Sequence, residues 1–223
     1  YFKPKNTNQK TPRYQCKACS KSFSTHTDKP TAYQKKPELN HELFKMLVSG
    51  VSMRRASELL DVKYDTVLLH FDYLAMRAKE EHIKFLKTVQ TTFVQVDEME
   101  TFLHARAKPL SVPMVVRVKT GHILGFQIAK MPARGTLADI GVAKYNWITD
   151  ERSKKFQSML LDIKHCFKEQ ITFKCDSHTS YPKWITSQIP HAKLEQVLGG
   201  KKPKAKLDGE KAFDQLFAIN NTF

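Results

Sequence analysis

Long hydrophobic runs are missing from this chain. Its 223 residues contain no stretch of about 18 apolar residues, which excludes a membrane-spanning helix. Residues 1–25 carry no apolar run and hence no signal-peptide pattern. Cysteine is scarce as well. Cys16, Cys19, Cys166 and Cys175 do not make a disulfide framework. Cys166 and Cys175 are expected to be buried and reduced, a usage that fits a reducing cytoplasm. Acidic residues are in deficit: 22 Asp and Glu face 37 Lys and Arg, for a net charge of +15. Such a surplus favours a polyanionic partner, nucleic acid before any other, over a plain solvated basic surface. The deficit is uneven. Residues 1–37 hold nine Lys or Arg and the single acid Asp28, and Lys201, Lys202, Lys204 and Lys206 form a second basic cluster. The chain starts on Tyr1 rather than Met and stops on Phe223 inside an apolar stretch, so both ends read as cuts through a longer chain.

A hydrophobic fraction of 41% is enough for a real core, and the pattern divides it into three parts. Residues 1–37 form a basic segment around "RYQCKACSKSF". An aromatic, a C-x-x-C pair and a second aromatic at Phe23 read as half of a zinc ribbon. Cys16 and Cys19 supply two thiolates where tetrahedral zinc needs four ligands. His26 is a weak substitute ligand, and a redox C-x-x-C is the alternative, without the strand-to-helix context that such motifs have.

Residues 38–90 read as helical. Leu43, Phe44, Leu47 and Val48 make one face, Gly50 ends that helix, and Ser52 caps the next. "SMRRASELLDVKYDTVLLHFDYL" then has the spacing of a helix-turn-helix, with a second helix running toward Leu86. Lys63, Tyr64, Asp65 and Thr66 would open the recognition helix and face base edges, and Arg54 and Arg55 would reach phosphates. The alternative is an ordinary helical hairpin.

From residue 91 the period changes to that of strands. "TTFVQVDE" is one, and "SVPMVVRVKTGHILGFQIAK" is a hairpin around Thr120-Gly121. Residues 134–150 read as irregular. "DERSKKFQSMLLDIKHCF" carries a helical stripe, "ITFKCD" is a strand, and "YPKWITSQI" leads to a short helix. A basic loop and a last helix close the chain. Strands mixed with helices indicate a mixed α/β domain over residues 91–223.

Two apolar strands, 92–97 and 171–176, each end on an aspartate. Neighbouring strand ends would bring Asp97 and Asp176 side by side, where either one takes a proton or a cation joins them. Beside a nucleic-acid reader, Mg²⁺ or Mn²⁺ is the economical cation, able to activate a nucleophile at a phosphodiester. Two ordinary strand-end aspartates are the plainer alternative. Glu98 and Glu100 are expected to make local hydrogen bonds or salt bridges. His178 is expected to be a loop side chain or a phosphate contact. Tyr181 and Trp184 either pack in the core or stack on an unpaired base. Lys201, Lys202 and Lys204 would track a DNA backbone.

"YQCKACSKSF", "SMRRASELLDVKYDTV", "VDEMETFLHARAKPLSVPMVVRVKTGHILGF", "KCDSHTSYPKW" and "DQLFAINNTF" occur in one order across most of the chain. Taken together, this set resembles the DDE-type insertion-sequence transposases, in particular the group around insertion sequence one and its relatives. The resemblance implies an RNase H-like catalytic domain behind the helix-turn-helix and the partial zinc ribbon. It implies binding to terminal inverted repeats, then metal-dependent end cleavage and strand transfer into target DNA with two Mg²⁺ ions. It also implies a homo-oligomer on DNA in a bacterial, nucleoid-associated setting. It places Asp97 and Asp176 at the first two catalytic positions. The third, Glu in the family, falls on Asn220, with Glu210 and Asp214 as nearby acidic surrogates. That departure keeps two other outcomes open: a catalytically inactive or domesticated DNA-binding protein, and an RNase H-like nuclease without strand transfer.

Overall fold

Apolar alternation and helical stripes both appear in the computed structural model, which describes residues 12–32, 34–197 and 216–222. The chain falls into two units, 1–81 and 82–223. In the first, β1 (Arg13–Gln15) and β2 (Ser22–Ser24) form a small antiparallel hairpin. Three helices follow: α1 (Leu39–Val48), α2 (Met53–Leu59) and α3 (Tyr64–Leu86). Ser52 caps α2 as expected, its hydroxyl accepting from the Arg55 N–H at 3.3 Å. Leu60–Lys63 makes the turn into α3, with Asp61 left-handed at φ 49°. The three helices close on Leu43, Ala56 and Val67. The expected apolar face of α1 is narrower than the sequence pattern: Phe44 and Val48 point to solvent.

His70 is buried in this unit and fully engaged. Its Nδ1 meets Asn40 Oδ1 at 2.7 Å and Gln34 Nε2 at 3.0 Å, and its Nε2 meets the Lys35 carbonyl at 3.0 Å. This network ties the segment before α1 to the middle of α3.

The second unit is a mixed α/β layer structure. Its strands are β3 (Thr91–Phe102), β4 (Pro109–Arg117), β5 (Ile123–Phe126), β6 (Ala129–Lys130), β7 (Phe167–Asp176) and β8 (Lys193–Val197). They lie in the order β5-β4-β3-β7-β8, with β6 added to β4. β4 is antiparallel to β3 and β5, whereas β3, β7 and β8 run parallel. The helices are α4 (Thr136–Tyr145), α5 (Arg152–Ile163), α6 (Tyr181–Gln188) and α7 (Phe217–Asn220). Val94 and Val96 of β3 and Phe173 and Cys175 of β7 share one sheet face, packed under Phe156, Met159, Leu160 and Ile163 of α5 and Ile185 of α6. The other face receives α7 through Ile219, Met114 and Val116.

Three features differ from the sequence reading. β3 does not stop at Asp97; it runs on to Phe102 because β4 pairs with it as far as Phe102↔Pro109. Residues 136–145 form a helix in a segment expected to be irregular. Gly135 and Gly141 hide its periodicity, but Gly141 has a packing reason: a Cβ there would stand 2.8 Å from the Ala107 carbonyl oxygen. β8 is a short, polar edge strand whose alternation is too weak to stand out. Among the described residues no helix is long and apolar enough to cross a membrane.

Gly141→Ala tests the close approach. Alanine favours a helix by about 1 kcal/mol. The clash is with backbone, which cannot rotate away, and overpacking costs about 1–3 kcal/mol. The clash is expected to win, and thermal unfolding of the variant should begin several degrees lower. An unchanged or higher midpoint would show that α4 does not rest on Ala107.

Candidate active site

Asp97 and Asp176 are 79 positions apart in the chain, yet the parallel register brings them level. Val96 pairs with Cys175, and the next residue on each strand is an aspartate. Adjacent strands are about 5 Å apart. Val96 and Cys175 point into the core under α5 and α6, so alternation turns Asp97 and Asp176 to the opposite face. There β7 ends while β3 continues, so the pair stands on the lip of β7 and against the middle of β3.

Local contacts hold both carboxylates. The Glu98 N–H donates to Asp97 Oδ1 at 2.8 Å. The His178 N–H donates to Asp176 Oδ1 at 2.9 Å. Gln196 of β8 donates from its Nε2 to the carbonyls of Asp176 and His178, both at 3.3 Å, and fixes the loop between them. Burial raises the pKa of Asp97, and the charge of Asp176 adds to the shift; the Glu98 N–H, the Tyr181 hydroxyl and His178 act in the opposite direction. Tyr181 is buried, and burial together with the carboxylates of Glu98, Asp97 and Asp176 drives its own pKa far up, so it remains a protonated donor. Its ring stacks on Phe156 at 5.5 Å and lies 5.1 Å from the His178 ring.

α7 approaches the aspartates' face of the sheet. The Ile219 N–H donates to Gln95 Oε1 at 3.0 Å, and Gln95 is two residues before Asp97 on the same face. Met114, against which Ile219 packs, is the register partner of Asp97 on β4. Asn220 follows Ile219 and is exposed. Glu210 and Asp214 lie outside the described residues.

Glu98 points the other way. Its Oε1 is buried without a hydrogen-bond partner, as is the Ser111 hydroxyl. The two are close enough for Ser111 to oppose the burial that raises the Glu98 pKa, but they are not aligned as a hydrogen bond. Glu100 pairs with Arg134 at 3.0 Å, the salt bridge its position called for. Tyr181 and Trp184 are both core residues, so neither is a stacking surface for a base. Their apolar spacing on a short helix does not distinguish the two roles. The nearness of the Tyr181 hydroxyl to Asp97, enough to oppose the rise of the Asp97 pKa, had no signal in the sequence.

The carboxylate pair fits a hard divalent cation in kind: oxygen donors, two like charges at level positions on adjacent strands, and an Asp97 pKa that burial raises and a cation would lower. It provides two ligands. Among the described residues no group of three or more His, Cys, Asp or Glu side chains is placed to hold a metal. Cys16 and Cys19 sit on the turn between β1 and β2, where backbone N–H groups of Cys19 and Ala18 lower the Cys16 pKa and favour its thiolate. His26 does not complete a three-ligand group with them.

No known family model matches this chain, and no curated protein is similar enough to count as a relative.

Of the basic and polar residues expected to meet DNA, Arg54, Arg55, Lys63 and Tyr64 are exposed, and Thr66 is half-buried beside Val67. Arg55 is held by Glu58 at 2.7 Å on the same helix. Lys201, Lys202 and Lys204 lie outside the described residues.

The raised Asp97 pKa has a thermodynamic sign. Its folded value lies above the unfolded 3.8, so the ionised form is disfavoured in the fold. Stability is therefore fully present below 3.8 and is lost as pH rises through the folded value. In divalent-free buffer, Asp97→Asn is expected to melt higher than wild type at neutral pH, with the difference closing at about pH 3. A difference that is the same at both pH values would contradict the burial argument.

Proposed function

We propose that the chain is a DNA transposase of the DDE type, cytoplasmic and acting on DNA as a homo-oligomer. In this reading residues 91–223 form an RNase H-like catalytic domain. The strand order supports it: with the two-residue β6 left aside, the domain's strands run 3-2-1-4-5, antiparallel only at strand 2, with helices on both faces. The observation that carries the reading is the pairing of Asp97 with Asp176 on one sheet face, with the helix of Asn220 docked on that face.

Asp97 and Asp176 would hold Mg²⁺ or Mn²⁺, with the Asn220 amide oxygen as an uncharged third ligand. Bound there, the ion supplies Lewis-acid activation of a nucleophile and charge neutralisation at the phosphodiester. The chain's own groups do the positioning. The Glu98 N–H orients Asp97, and the His178 N–H and Gln196 orient Asp176. In the first unit, α2 and α3 act as the helix-turn-helix, with Lys63, Tyr64 and Thr66 toward base edges and Arg54 and Arg55 toward phosphates. The turn carrying Cys16 and Cys19 is half of a zinc ribbon. Incubated with duplexes bearing the element's ends and Mg²⁺, the chain is expected to nick them and join the freed ends to a target duplex. Nicking without joining would leave a nuclease.

A second reading, a DNA-binding protein without catalysis, is favoured by Asn220 and by the absence, among the described residues, of a group of three His, Cys, Asp or Glu placed to hold a metal. The Asn220→Glu variant separates the two. A silent wild type that begins to nick on this change is a decayed copy. An active wild type that loses activity on it is tuned to the amide, the outcome expected here.

A further inference from the structure

Off the same end of the sheet lies a second cluster that the site does not use. Tyr145 ends α4, and Trp147 follows two residues later; both rings are half-buried. Lys108 Nζ stands 4.7 Å from the Tyr145 ring centroid and 6.0 Å from that of Trp147. Lys130 Nζ lies 5.3 Å from the Trp147 centroid, and Lys144 Nζ 5.4 Å from that of Tyr145. We propose that Tyr145 and Trp147, with Lys108, Lys130 and Lys144 over their faces, form a stacking platform for an unpaired base of single-stranded DNA, the base taking the place of an ammonium that moves to a phosphate. The proposal rests on the transposase reading and names where the strand leaving Asp97 and Asp176 would lie.

The rings are fixed in advance. The Trp147 Nε1–H donates to the Met131 carbonyl at 2.9 Å, and its backbone N–H donates to the Gly141 carbonyl at 3.0 Å. Gly141 seats α4 against Ala107, one residue before Lys108. Three ammonium groups on two rings exceed what packing asks for. Like charges repel, and among the described residues none of the three lysines forms a salt bridge. The acids nearby are otherwise engaged: Asp150 pairs with Arg152 at 2.7 Å, and Glu151 accepts from the Lys130 backbone N–H at 3.3 Å. A polyanion that also carries flat π-faces satisfies both halves of the cluster, because every base can stack and every phosphate can take an ammonium. The spacing suits one strand. Lys130 is level with Thr101, four residues past Asp97 and two strands away, so its backbone lies about 16 Å from that of Asp97.

The test uses fluorescence of the full chain. The sequence has two tryptophans, and Trp184 is buried, so Trp184→Phe leaves Trp147 as the sole reporter. A short oligothymidylate is expected to quench Trp147 saturably, and inorganic polyphosphate is not. Tyr145→Ala should weaken the oligothymidylate about tenfold. Should Trp184→Phe fail to fold, the difference between wild type and Trp147→Phe reads the same signal. Equal quenching by polyphosphate, or no quenching by the oligonucleotide while duplex DNA still binds by anisotropy, overturns the platform and leaves the transposase reading standing. Loss of binding to both DNA forms overturns the two together.

Discussion

Replacing Asp97 or Asp176 by Asn is expected to lower Mg²⁺-dependent nicking by at least about a hundredfold, while duplex affinity changes little. The size follows from position. Groups that merely orient a metal ligand are worth about 10–100-fold when removed, and a ligand itself is worth more. The retained affinity follows from organisation: Arg54, Arg55, Lys63 and Tyr64 belong to the other unit. Asn keeps the shape of Asp and one oxygen, so the Glu98 N–H and the His178 N–H retain their acceptors. What changes is the charge of the pair. Nicking at the wild-type rate in both variants, read on an end-labelled duplex, would remove these residues from catalysis.

The second large effect is structural. Phe156→Ala is expected to destabilise the second unit by about 3–5 kcal/mol, the range for aromatic truncation in a core. Phe156 is wholly buried on α5, 5.5 Å from the Tyr181 ring and 5.3 Å from that of Trp184. Its loss opens a cavity beside the helix that carries Tyr181 and Trp184. A domain of this kind has about 5–15 kcal/mol in total, so the unfolding midpoint in urea should fall by a large fraction. Phe156→Leu, which fills most of the space, should fall much less. Equal midpoints for wild type and Phe156→Ala would mean that α5 does not seal this core.

Strand and helix content, the cap at Ser52 and the aspartate pair were legible because each has a local signature. "FVQVD" and "ITFKCD" both show an apolar run closed by an acid, and parallel pairing needs only that both runs lie in one sheet. The length of β3 was not legible, because Glu98, Met99 and Glu100 lose the apolar alternation where β4 supplies the support instead. α4 was hidden by its glycines, one of which exists only because Ala107 comes close. Tyr181 and Trp184 illustrate a general ambiguity: the same aromatic spacing serves a core or a surface, and only the position of Phe156 decides it.

Mn²⁺ titration followed by electron paramagnetic resonance tests the pairing of Asp97 with Asp176 most directly, because it needs neither substrate nor turnover. Wild type should bind Mn²⁺, and Asp97→Asn and Asp176→Asn should each abolish the same site. Binding that survives in either variant, or that is lost in one and untouched in the other, would contradict a shared ion.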